Sequence, residues 1–84
     1  MFVNIDQVPT GKSMYTVAVT DQPAGTPELD LHYDEVDVIA PSRATAAEVI
    51  AAADLDGYEG QRVIAVVNQS DAYVVVKDTQ GNLR

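Results

Sequence analysis

The stretch "APSRATAAEVIAAADLDG", residues 40–57, is the one segment of this chain with a helical period, and it constrains the fold more than any other. Ala46, Val49, Ile50 and Ala53 recur at i, i+3, i+4 and i+7, which puts them on one face of a helix. Thr45 and Glu48 make the S/T-x-x-E pattern of a capping box, so the helix is expected to start at Thr45. Pro41 closes the strand before it, and Gly57 is expected to stop the helix in the left-handed conformation that glycine adopts cheaply. With no second helical pattern to receive it, the apolar face of this helix has to lie on a sheet.

The flanking segments supply the sheet. "FVNI" reads as a short first strand, and "MYTVAVT" alternates Tyr15, Val17 and Val19 against Thr16, Ala18 and Thr20. "DQPAGTPE", residues 21–28, carries Pro23, Gly25 and Pro27 and is expected to be a flexible loop, because proline has no donor for a ladder. From Glu28 the alternation returns with Leu29, Leu31 and Tyr33, then changes phase to Val36 and Val38, so Asp34-Glu35 is read as a bulge or a tight turn between two strands. "RVIAVVN" is a nearly continuous apolar run expected in a central strand, and "AYVVVKD" pairs back on it after the turn "QSD". The expected fold class is α+β: a β-grasp-like mixed sheet of four to five strands with one helix packed across it, in the order β-β-(β)-α-β-β. The 84 residues form a single small domain, 1–84, with residues 80–84 as a C-terminal tail.

Charge narrows the function. Five basic residues against thirteen acidic ones leave a net charge of −8, so the surface field repels nucleic acid and anionic lipid, and neither direct nucleic-acid nor membrane binding is expected. The acidity suits a protein partner with a basic surface, imitation of a phosphate array, or simple solubility. Cysteine is absent, which removes disulfides and thiolate metal sites, and the N-terminus "MFVNIDQVPTG" lacks the basic-then-apolar form of a signal peptide, so the cytoplasm is the expected location.

No chemistry-bearing motif is complete. Thr10-Gly11-Lys12-Ser13 matches the end of a phosphate-binding loop, but Asp6 stands where the first glycine belongs and a strand pattern follows instead of a helix, so Pro9–Ser13 is read as a turn. His32 is the sole histidine and has no second histidine or cysteine with which to share a metal; none of Ser13, Ser42 and Ser70 has a base placed beside it. In "DLDGYE" the residues Asp54, Asp56 and Glu59 surround Gly57, yet a calcium loop in that register would begin at Ala52 and end at Val63, which supply no side-chain ligand. No catalytic, metal or cofactor-binding residue is therefore assigned, and no cofactor or enzymatic activity is expected. The polar phase around the second hairpin arm leaves Asp30, Asp34, Glu35 and Asp37 as a candidate acidic face for a partner.

The arrangement of a strand hairpin, the capped helix "TAAEVIAAADL" and the strand "VIAVVN" resembles the β-grasp of ubiquitin-like proteins, closest to bacterial ubiquitin-like domains and, in "AAEVIAAADL" and "VIAVVNQ", to the sulfur-carrier branch. The resemblance covers residues 14–79 as an arrangement and 36–68 as sequence. It implies a non-enzymatic modifier or adaptor whose sheet face is read by partner proteins and whose tail takes part, which brings forward Gly81, Leu83 and Arg84. Leu83-Arg84 resembles the residues before the diglycine of ubiquitin, but no Gly-Gly is present, so the resemblance implies a fused, truncated or purely non-covalent ubiquitin-like domain. The rival expectations are a small acidic phage-type inhibitor that blocks a basic site of a host defence protein, and a small virion or assembly component.

Overall fold

The structure is a computed structural model and describes residues 8–77. Its elements are β1 (Lys12–Thr20), a short 3-10 turn (Glu28–Asp30), β2 (Asp34–Pro41), α1 (Ala46–Ala52), β3 (Arg62–Asn68) and β4 (Tyr73–Lys77). The strands form one four-stranded sheet in the order β2-β1-β3-β4, with α1 packed across β2 and β1, so the class is the α+β arrangement expected. Every strand pairing among the described residues is antiparallel. The element order and helix placement are compatible with a β-grasp-like fold, and the expected "FVNI" strand, with the tail 80–84, lies outside the described residues.

The helix begins as its capping box dictates. Thr45 is the N-cap; its Oγ1 accepts from the Glu48 N–H at 3.2 Å, and Glu48 Oε1 accepts from the Thr45 N–H at 2.9 Å. The apolar stripe faces the sheet as expected: Val49 is fully buried, and Ala46, Ile50 and Ala53 pack around it half-buried. The end differs. Ala53 is already extended (φ −74°, ψ 141°), so α1 stops at Ala52 rather than near Gly57. Beyond it, Asp54 Oδ1 accepts from the Asp56 N–H, and a turn closed by the Tyr58 N–H on the Leu55 oxygen swings Leu55 and Tyr58 back onto the core. Gly57 has φ +91° and serves that turn instead of the helix cap.

Below the helix lie Tyr15, Val17 and Val19 of β1, Ala40 and Ala44, and Val63 and Val66 of β3, all buried; half-buried Val38, Val75 and Val76 extend this layer. The helix-facing phase of β1 is the odd one that the alternation picked out. β3 is an interior strand, as its unbroken apolar run predicts. The register shifts once on each of its flanks, between Ala18 and Val19 on the β1 side and between Val66 and Val67 on the β4 side.

The connection from β1 to β2 corrects the sequence expectation. Leu29, Leu31 and Tyr33 do not form a strand: Glu28–Asp30 is a 3-10 turn, Leu29 is fully exposed, and the ladder starts at Asp34. The phase change at Asp34-Glu35 is thus where a strand begins, neither a bulge nor a turn between strands. The cause lies in Gln22, whose Oε1 accepts from the His32 N–H at 2.6 Å while its Nε2 donates to the Asp30 oxygen at 3.1 Å. A side-chain amide thereby satisfies main-chain groups that a partner strand would otherwise pair. Thr20 Oγ1 donates to the His32 oxygen, and the Arg62 guanidinium donates to the oxygens of Gln22 and Pro23, so the loop of residues 21–28 is anchored at its first end.

Candidate functional site

One face of the sheet carries the helix; among the described residues no element covers the other. Register identifies what lies there. Asp37 pairs with Thr16 and Thr16 with Val67, which pairs with Val74; Glu35 pairs with Ala18 and Ala18 with Ala65, which pairs with Lys77; Ile39 pairs with Met14. All of these belong to the phase opposite Tyr15, Val17 and Val19. Alternation puts them on the uncovered face.

This face has two parts. Its apolar residues are two cross-strand pairs in successive rows, Met14 with Ile39 and Val67 with Val74, in which Val74 is 56% exposed and Ile39 36% exposed. At the β2 side Glu35 and Asp37 present exposed carboxylates, and Lys77 stands across the sheet on β4. Between them the floor is made of Thr16 and Ala18, both buried, and Ala65. Thr16 joins the two sides: its hydroxyl donates to Asp37 Oδ1 at 2.8 Å and accepts from Gln69 Nε2 at 3.2 Å. The Asp37 carboxylate is held in place by that bond, which favours a defined binding geometry over a freely rotating charge.

The four acids expected to share a face divide. Glu35 and Asp37 are together on the uncovered face. Asp34 pairs with Val19 and so belongs to the helix-side phase, at the strand's end, and Asp30 sits in the 3-10 turn. The period of 2 dictates this: neighbours in a strand point to opposite sides, so three acids at positions 34, 35 and 37 cannot all face one way. Gly81, Leu83 and Arg84 lie outside the described residues.

The apolar members were missed in the sequence, although one signal was there. In "DEVDVIA" the buried phase is Val36 and Val38, and Ile39 breaks it by standing on the same phase as Glu35 and Asp37. Met14, Val67 and Val74 sat in runs too uniformly apolar for the alternation to separate inside from outside.

Other candidates resolve locally. The turn expected over Pro9–Ser13 is present but shorter: the Lys12 N–H bonds to the Pro9 oxygen with Gly11 at φ +84°, and Ser13 already belongs to β1. Ser13 is buried and donates to Ser42 Oγ at 3.1 Å. His32 is exposed and contributes, with Val19, Thr20, Asp21, Tyr33, Asp34 and Gln61, to an open cleft of about 250 Å³ beside the end of β1. No group of three or more His, Asp or Glu placed to hold a metal occurs among the described residues, and no helix there is long and apolar enough to cross a membrane. Compared with protein-family models, curated proteins and solved structures, the chain matches none.

Proposed function

We propose that this chain is a non-enzymatic protein-interaction domain of ubiquitin-like type, recognised through its uncovered sheet face by a partner with a basic rim. The observation that carries the reading is that the apolar pairs Ile39–Met14 and Val67–Val74 share one face with the carboxylates of Glu35 and Asp37. Apolar contact area bordered by charge is what protein interfaces use: the apolar centre supplies affinity and the rim supplies orientation and rate. The separation of Asp34 from Glu35 and Asp37 weighs against the rival reading, in which a row of carboxylates imitates phosphates, because that row is interrupted. Within this reading the domain acts by binding alone.

The test is affinity capture with the full chain and with Val74→Asp, a substitution at an exposed position. The expected result is a partner retained by the parent at high salt and lost by Val74→Asp. A partner that is a basic nucleic-acid-binding protein, released by salt and indifferent to Val74→Asp, would replace this reading with charge mimicry.

A further inference from the structure

The uncovered face ends at β2, and β2 is an edge strand with no neighbour on its outer side among the described residues. Which of its main-chain groups point outward follows from the ladder. The Ser42 N–H donates to the Gly11 oxygen at 3.0 Å, and these two residues extend the register in which Lys12 faces Pro41. Direct bonding between opposed residues marks the hydrogen-bonded type of antiparallel pair, and the type alternates. The pairs Ser13–Ala40, Tyr15–Val38, Val17–Val36 and Val19–Asp34 are therefore bonded inward, while Glu35, Asp37 and Ile39 direct their N–H and C=O groups away from β1. The other flank of β1 agrees: the Gln69 N–H donates to the Met14 oxygen, so the even residues of β1 bond toward β3 and the odd ones toward β2.

Resting on the protein-binding reading, we propose that β2 receives an extended, basic segment of a partner as an added strand. The three outward residues offer a short ladder that stops at Pro41, which has no N–H to give. Their side chains all lie on the uncovered face, so an added strand places its paired side chains beside Glu35, Asp37 and Ile39. Two carboxylates followed by an isoleucine call for two cationic residues and an apolar one at alternate positions. The intervening residues of the added strand lie beside half-buried Val36 and Val38, which calls for β-branched apolar residues. Run antiparallel, the complement reads Val-Val-Lys-Val-Lys.

The same charges disfavour the simplest competitor, a second copy. Antiparallel pairing of β2 with itself centred on residue 35, 36 or 37 puts Glu35 opposite Asp37, or either residue opposite its own copy, and centred on Val38 it puts Asp37 opposite Ile39 and Glu35 opposite Pro41, which gives neither carboxylate a cation. Like charges directly opposed across strands destabilise the pair, and a net charge of −8 on each chain adds to the repulsion. Acidic side chains on an exposed edge thus oppose self-association and favour a cationic strand at once.

The probe is the capped peptide acetyl-Gly-Val-Val-Lys-Val-Lys-Gly-amide, titrated into the isotope-labelled full chain while the main-chain amide resonances are followed by NMR. Saturable shifts centred on the amides of residues 35, 37 and 39 are expected. Binding should weaken at least about tenfold with the double variant Glu35→Lys/Asp37→Lys. It should weaken equally when the first valine and both lysines of the peptide are N-methylated, which keeps the charge and removes the paired donors. Equal binding of the N-methylated peptide would mean diffuse charge attraction and overturn the proposal. Shifts centred on Val67 and Val74 would overturn strand addition while leaving the protein-binding reading standing. No saturable shift at millimolar peptide, or concentration-dependent shifts at residues 35, 37 and 39 in the chain alone, would each overturn it as well. The capture experiment with Val74→Asp is independent of all these outcomes.

Discussion

The hydroxyl of Tyr15 donates to the main-chain oxygen of Pro41 at 2.6 Å, joining the middle of the buried face to the last residue of β2. Tyr15 is fully buried, and the Pro41 oxygen also receives the Ala44 N–H at 3.0 Å, so one carbonyl anchors both a core side chain and the approach to the helix. Nearby, Asn68 Nδ2 and the Tyr73 hydroxyl donate to the Ser42 oxygen, each at 3.4 Å. No buried side-chain nitrogen or oxygen among the described residues lacks a hydrogen-bond partner. Tyr15→Phe leaves the Pro41 oxygen with fewer donors while keeping the ring, and should cost about 1–2 kcal/mol, read as a fall in Tm of roughly 5–15 °C. An unchanged melting temperature would show that this bond does not hold the segment.

Alkaline titration isolates the same residue. Burial, ahead of the nearby Tyr73 hydroxyl, raises the Tyr15 phenol above its ordinary value of 10.0. The folded state then keeps its proton where the unfolded chain releases it. The resulting stability is complete below pH 10 and is lost as the pH rises above 10 toward the folded value. In ultraviolet titration Tyr15 should ionise above pH 10, together with unfolding, and Tyr15→Phe should flatten the decline in stability above pH 10. Ionisation of Tyr15 in the folded chain at its ordinary value of 10.0 would contradict its burial.

Within the helix stripe the two central residues differ in weight. Val49 is fully buried and Ile50 half-buried, so Val49→Asp should leave the domain unfolded, since an unpaired carboxylate there costs several kcal/mol. Ile50→Asp should be milder, because a short rotation carries its carboxylate to solvent. Circular dichroism on the two variants settles the ranking; equal effects would mean that the helix is rolled toward Ile50.

Thr45→Ala removes the acceptor for the Glu48 N–H and should cost about 1 kcal/mol in chemical denaturation. The bond from the Thr45 N–H, with help from its hydroxyl, lowers the Glu48 pKa below 4.5. A depressed carboxyl stabilises the fold above the unfolded value and loses that contribution as pH falls through the folded one. Glu48→Gln should therefore reduce the acid sensitivity of stability below pH 4.5, and an identical acid profile would remove Glu48 from the cap.

The turn between β3 and β4 holds the one described non-glycine residue at positive φ, Ala72 at 56°. The left-handed region costs an alanine about 1–2 kcal/mol, part of which glycine gives back through a freer unfolded chain. Ala72→Gly should stabilise the domain by about 0.5–1 kcal/mol, measured as a rise in the urea midpoint at constant slope; a loss of stability would place Ala72 in contacts the turn geometry does not show.

Residues close in the chain wrote their structure openly. The capping pair Thr45 and Glu48, the stripe through Val49, the turn at Gly11 and the buried phase of Tyr15, Val17 and Val19 all depend on spacings of a few residues, and each is read correctly from the sequence. What required the folded chain depends on groups far apart. Gln22 reaches Asp30 and His32 and so replaces a strand with a loop, and the return of Leu55 and Tyr58 to the core ends the helix early. The register of β1 against β2 sends Glu35 and Asp37 to one face, Asp34 to the other, and the amides of Glu35, Asp37 and Ile39 outward. A spacing of two or four residues is fixed by backbone geometry alone, whereas a pairing across twenty is chosen only when the whole sheet finds its register.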